Sequence, residues 1–219
     1  RALSSRRGPD IGKGFDTRGR ELLHQRARAV ARLGFPAMTD TAFDPGGFFE
    51  FDLARGAVRA RGGERVLMLS DGALAPLVAA AVKGGDLTAV RKLGKHLGEA
   101  AASGLASAAD SPPEVVLGRA ADVLALFGWG RLTIDRWGDA LSARVDDLPA
   151  LDDSHLGMAA LLGGLFSALA DRDVACVPVS GDGLFLLVDP SIAQQVWKWS
   201  RAGDGVPAIV ARLKGPEAA

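Results

Sequence analysis

The stretch RLTIDRWGDALSARV, Arg131 to Val145, decides how this chain folds. Leu132, Ile134 and Arg136 alternate with Thr133, Asp135 and Trp137, the two-residue period of a strand with two unlike faces. Gly138-Asp139 is a tight-turn pair, and Leu141 to Val145 resumes as a partner strand, so the stretch reads as a hairpin. A second hairpin lies downstream, Val174 to Val179 and Leu184 to Val188 around Ser180-Gly181-Asp182-Gly183. A third lies upstream, Phe48 to Leu53 and Ala57 to Arg61 around Ala54-Arg55-Gly56, followed by the apolar run Arg65 to Ser70 as a further strand.

Helical patterns fill the intervals. Gly72 to Val82 follows Asp71, a capping residue type, and stops at Gly84-Gly85. Leu87 to Ala109 reads as one long helix or two with a kink. Glu114 to Phe127 starts beside Pro113, His155 to Ala170 is capped by Ser154, Pro190 opens a helix to Ser200, and Val206 to Leu213 forms the last. Strands and helices do not alternate strictly, and no repeat of 20–50 residues occurs. The expected class is α+β: an antiparallel sheet of hairpins with helices packed on one face.

The 219 residues are 48% hydrophobic and 24% charged, enough apolar surface for a folded domain rather than a disordered chain. The charge is balanced overall but unevenly placed. Residues 1–33 hold nine Lys and Arg against three acidic residues, and the rest of the chain carries the opposite excess of six. Residues 1–47 therefore read as a basic arm, with a helix over Arg18 to Leu33, and residues 48–219 as the compact domain. Such an arm suits an acidic partner, a phosphate or an anionic lipid surface; it also suits the acidic body it is attached to. A lone Cys176 forms no intramolecular disulfide and fits a reducing compartment, and no signal peptide is read. The longest apolar run, Leu156 to Ala170, is too short to span a bilayer. The expected location is cytoplasmic.

Motifs for chemistry are scarce. Gly8 to Gly14 is one residue short of a phosphate loop and lacks Ser or Thr after Lys13. No nucleophile elbow and no dinucleotide fingerprint occur. His24, His96 and His155 are far apart and Cys176 has no second thiol near it, so no metal set is assembled. Asp152-Asp153-Ser154-His155 is the densest polar cluster, and helix capping by Asp153 and Ser154 explains it. Cys176 sits in an apolar strand, where a thiol packs rather than reacts. Asp146 and Asp147 are adjacent on a strand and point to opposite faces. The expectation is a protein that is not an enzyme, with no catalytic residues, no metal and no cofactor.

Glycines on two helices carry more information. Gly94 and Gly98, with Ala102, put small residues at i, i+4 and i+8. Gly163-Gly164 sits among Leu161, Leu162, Leu165 and Phe166. Glycine costs a helix about 1 kcal/mol against alanine, and close helix packing offsets that. The packing could be within the fold or between subunits, or leave a groove for an apolar ligand. Gly94, Leu97, Gly98, Leu161, Gly164 and Leu165 are the candidate interface, and Trp129 and Trp137 the candidate ligand-binding residues.

Phe48 to Leu53, Gly56 and Arg65 to Leu69 resemble the opening hairpin and strand of the vinyl-reductase-type domain, in the TRAPP-like superfamily of vesicle-tethering subunits and bacterial sensors. Leu93-Gly94 with Leu97-Gly98 resembles its first long helix, and Phe127 to Leu132 its glycine-tryptophan-glycine entry into the central hairpin. A narrower stretch, Trp129-Gly130, Asp135, Ala143 to Val145, Asp147 to Pro149 and Leu162 to Phe166, is similar to the cellulose synthase D subunit. The narrower resemblance implies a non-catalytic, ring-forming accessory subunit in cellulose biosynthesis. The broader one implies a sensory module for a small hydrophobic ligand. Sensors of that kind carry a zinc site of several cysteines, which a single cysteine does not supply. The leading expectation is thus an oligomeric scaffold, a homodimer or larger ring that acts with other assembly subunits. The alternative is a module that binds a small hydrophobic ligand.

Overall fold

The structure is a computed structural model that describes residues 47–213, apart from 61, 104, 106–110 and 138–139. The basic arm up to residue 46, its expected helix and the Gly138-Asp139 turn lie outside the described residues.

The alternating stretches form strands as expected. In chain order the elements are β1 (Phe49–Asp52), β2 (Ala57–Ala60), β3 (Arg65–Val66), α1 (Asp71–Gly84), α2 (Thr88–Ala102), α3 (Pro113–Leu126), β4 (Arg131–Trp137), β5 (Ala140–Asp146), α4 (Leu156–Ala170), β6 (Ala175–Pro178), β7 (Leu184–Val188), α5 (Pro190–Arg201) and α6 (Val206–Leu213). All strand pairs are antiparallel. They make two sheets, a small one in the order β1-β2-β3 and a larger one in the order β4-β5-β7-β6. The class is α+β.

Register decides which residues meet which layer. Leu132 lies opposite Val145, Ile134 opposite Ala143, and Ala143 opposite Phe185. This row, with Cys176, faces the core shared with α2, α3 and α4. The alternate residues Val177, Leu184, Leu186 and Val188 face Val196 of α5 and Ile209 and Val210 of α6. The expected helix layer on one face is present, and the C-terminal helices cover the other face as well. Both hairpin strands β6 and β7 are therefore apolar on both sides, as sheet strands between two layers must be.

α4 is the centre of the larger core. Gly157 to Ala159 and Leu161 to Phe166 are all buried, as a helix apolar on every side requires. Each of its buried leucines is worth roughly 1.5–3 kcal/mol relative to exposure. α2 lies directly along it. A Cβ on Gly94 would fall into the Leu161 carbonyl, and one on Gly164 into the Arg91 carbonyl; one on Gly98 would stand 2.6 Å from the Leu165 oxygen. The two backbones touch because both helices lack side chains at the crossing.

Several details differ from the sequence reading. α2 stops at Ala102, where Ser103 donates its hydroxyl to the Ala100 carbonyl and Gly104 follows in the sequence. Of Arg65 to Ser70 only Arg65 and Val66 pair with β2. Ser70, not Asp71, caps α1, its hydroxyl accepting from the Ala73 N–H. At α4 the cap is Asp152 rather than Asp153 or Ser154: its carboxylate accepts from the N–H groups of Ser154, Leu156 and Gly157 and from the Ser154 hydroxyl. His155, left-handed at φ 55°, occupies the position before the helix and has no cap of its own to offer.

Candidate functional site: an apolar cavity beside the central sheet

α3 begins at Pro113, and its first turns direct Val116 and Leu117 inward. α4 ends at Ala170, because Asp171 adopts the left-handed conformation at φ 48°. Between the start of one helix and the end of the other lies a cavity of 430 Å³. Its floor is the cross-strand pair Leu141 and Leu187. Its walls are Val116 and Leu117 from α3 and Phe166 and Leu169 from α4. Phe166 is buried, whereas Leu141 is 40% exposed, so the cavity opens along the Leu141 edge of the floor.

Polar groups lie only at the mouth: Ser111, Arg172, Asp173 and Asp189. The turn that carries Arg172 and Asp173 is pinned. The Ser167 hydroxyl accepts from the Val174 N–H at 2.9 Å and from the Arg91 guanidinium at 2.8 Å, and donates to the Gly163 carbonyl at 2.6 Å. Arg91 also reaches Asp173 at 3.4 Å. Asp189 caps α5, accepting from the Ser191 N–H and hydroxyl. The Ser191 side-chain and backbone hydrogen bonds hold its carboxyl below the ordinary aspartate value, with a further contribution from the charge of Arg172. Asp173 and Asp189 thus serve the fold, and Arg172 is the exposed cation among the lining residues.

The walls hold apolar carbon, and the rim offers a cation and ordinary hydrogen-bonding groups. Among the described residues no group of three His, Cys, Asp or Glu side chains is placed to hold a metal ion. Cys176 is buried on β6, where burial pushes its thiol up, away from the reactive thiolate. His96 stays on an exposed face, 3.0 Å from Glu64. Asp146 pairs with Arg131 at 2.9 Å.

The residues singled out from sequence lie elsewhere. Trp129 is buried in the larger core, its backbone N–H bonded to the Leu124 carbonyl. The glycines beside it explain the motif: Gly130 has φ 96°, and a Cβ there would meet the Asp146 carbonyl at 2.6 Å. Trp137 points away from the cavity. It alternates with Arg136, which lies opposite Leu141 on the cavity side, and is 42% exposed on the other face. Neither tryptophan lines the cavity. Gly94, Leu97, Gly98, Leu161, Gly164 and Leu165 come together, but inside one chain, buried where α2 crosses α4. They present no surface to a second subunit in this arrangement. Leu117, Leu141, Leu169 and Leu187 escape a sequence reading because they carry the same periodic signal as any core residue. Only Asp171-Arg172-Asp173, a charged triplet between an apolar helix and an apolar strand, is a local mark of the mouth.

No family model matches the chain, and no curated protein matches it. Among solved structures it is similar to a crystal structure of the phenol-responsive sensory domain of the transcription activator PoxR with phenol, at 16% identity and a TM-score of 0.49, over 86% of this chain and 96% of that one. No helix among the described residues is long and apolar enough to cross a membrane.

Proposed function

We propose that this chain is a non-catalytic module that binds a small, largely apolar molecule between α3, α4 and the β5–β7 floor, with any polar end directed to Arg172. The observation that carries this reading is the cavity itself. Its volume lies in the range of about 300–1,000 Å³ typical of small-molecule sites, and its walls are aliphatic and aromatic with charge confined to the rim. The sequence reading that led with a scaffold in cellulose biosynthesis gives way to the sensory alternative. Its resemblance rested on residues such as Trp129, Ala143, Val145 and Leu162 to Phe166, which are buried packing residues here; they argue for a core and not for an assembly.

The test is titration with 1-anilinonaphthalene-8-sulfonate, whose emission rises on leaving water for an apolar site, followed by competition with phenol and with cyclohexanol. Leu117→Trp places a larger side chain into the cavity from a half-buried wall position. Saturable emission in the wild type, lost in Leu117→Trp at an unchanged melting temperature and weakened in Arg172→Ala, is the expected result. Equal saturable emission from Leu117→Trp would place the probe elsewhere and overturn the assignment.

A further inference from the structure

The charges at the cavity mouth are not equivalent. Asp173 has a partner in Arg91 at 3.4 Å, and Arg91 has a second in the Ser167 hydroxyl at 2.8 Å. Asp189 accepts from the Ser191 N–H at 2.9 Å and from the Ser191 hydroxyl at 2.6 Å, and so caps α5. Arg172 is the exception. It lines the cavity, it is exposed, and among the described residues its guanidinium makes no hydrogen bond or ion pair. Its charge is felt at Asp189, but there it ranks behind both Ser191 hydrogen bonds.

That asymmetry selects the charge of a ligand. A cationic head group would have to draw Asp173 from Arg91 or Asp189 from the start of α5, and would meet Arg172 as a like charge. A neutral hydroxyl would give the guanidinium one ordinary hydrogen bond. A carboxylate matches the planar fork of arginine with two charge-assisted bonds and displaces no bond of the fold. The interior limits the rest of the molecule. Val116, Leu117, Phe166 and Leu169 wall a volume of 430 Å³, with Leu141 and Leu187 below. None of these side chains can hydrogen-bond, so a second polar group carried inward would lose its water without compensation.

We infer that the ligand is a small monocarboxylic acid, its hydrocarbon body between the walls and its carboxylate on the Arg172 guanidinium. The inference rests on the cavity being the binding site and names the charge of what enters it.

The test is calorimetric titration of the full chain, at neutral pH and low salt, with three molecules of one ring and three charges. They are cyclohexanecarboxylate, cyclohexylmethanol and cyclohexylmethylamine. The wild type should bind the acid roughly tenfold more tightly than the alcohol, and the amine most weakly. Arg172→Gln should bring the acid to within about twofold of the alcohol and leave the alcohol unchanged. Asp189→Asn keeps a residue type that caps a helix as well as aspartate does, and it removes the negative charge that shares the mouth. It should tighten the acid by about threefold and leave the alcohol unchanged. If the alcohol or the amine binds the wild type as tightly as the acid, the inference is overturned while the cavity stands as a binding site. A preference for the acid that survives Arg172→Gln has the same meaning. If none of the three binds, or if all three bind Leu117→Trp as they bind the wild type, the cavity reading is overturned and the inference falls with it.

Discussion

α1 and α4 are helices of 14 and 15 residues built mainly from apolar residues, and the fold uses them differently. α4 buries Gly157 to Ala159 and Leu161 to Phe166 between a sheet and α2; α1 buries Val78 alone. Hydrophobic content separates them in part: α4 carries no charged residue, whereas α1 carries Asp71 and Lys83. Shape separates them further. α4 carries glycine where α2 also carries glycine, so two backbones can meet and the leucines on either side can interlock. α1 carries alanines that give little area each, with Pro76 removing a backbone donor within the helix. A helix that matches neighbours on every side becomes core, and one that packs by a single face, as α1 does through Leu74, Ala75, Val78 and Val82, stays at the surface.

The sharpest way to break this comparison is Gly164→Ala. Helix propensity alone would favour alanine by about 1 kcal/mol. The added methyl would overlap the Arg91 carbonyl, a backbone atom that cannot rotate away. Overpacking should therefore win, with a net loss on the order of 3 kcal/mol in urea denaturation. A variant more stable than wild type would mean that α2 and α4 do not touch as described.

A smaller contrast lies at the helix starts. Asp152 satisfies three backbone N–H groups at the start of α4 and Ser70 one at the start of α1. Asp152→Ala should cost about 2 kcal/mol and Ser70→Ala about 0.5 kcal/mol, the two ends of the capping range. Thermal unfolding of both variants checks this, and equal losses would remove the distinction between a cap inside the core and a cap outside it.

The smallest effect is expected at Leu77. Its neighbour Val78 is 4% exposed and Leu77 is 65% exposed. Leu77→Ala should change the folding stability of a single chain by less than about 0.5 kcal/mol. Thermal unfolding at low protein concentration reads this directly, and a loss above about 1 kcal/mol would place Leu77 in the core.

The period of two across Arg131 to Val145 and Val174 to Val188 was enough to place the central hairpins and hence the α+β class. The glycine spacing showed in advance that helices approach closely, but not whether the partner was internal. Gly94 meets Leu161 some 67 residues away, and no local pattern encodes that distance. The cavity was harder still. Leu141 and Leu187 become neighbours only when β5 pairs with β7, and the tryptophans drew attention by chemistry alone.

What the amino-acid sequence determined by itself is local: which residues alternate, which repeat on a helical face, and where turns and caps break the chain. Those properties follow from backbone sterics and side-chain type over a few residues. What only the tertiary structure decided is which apolar surfaces meet. It set α4 between two neighbours, left α1 and Leu67 to Leu69 open, and held the ends of α3 and α4 apart over the Leu141–Leu187 floor. The hydrophobic effect that drives burial has no direction, so identical apolar signals become core, cavity wall or exposed face according to the geometry that long-range packing allows.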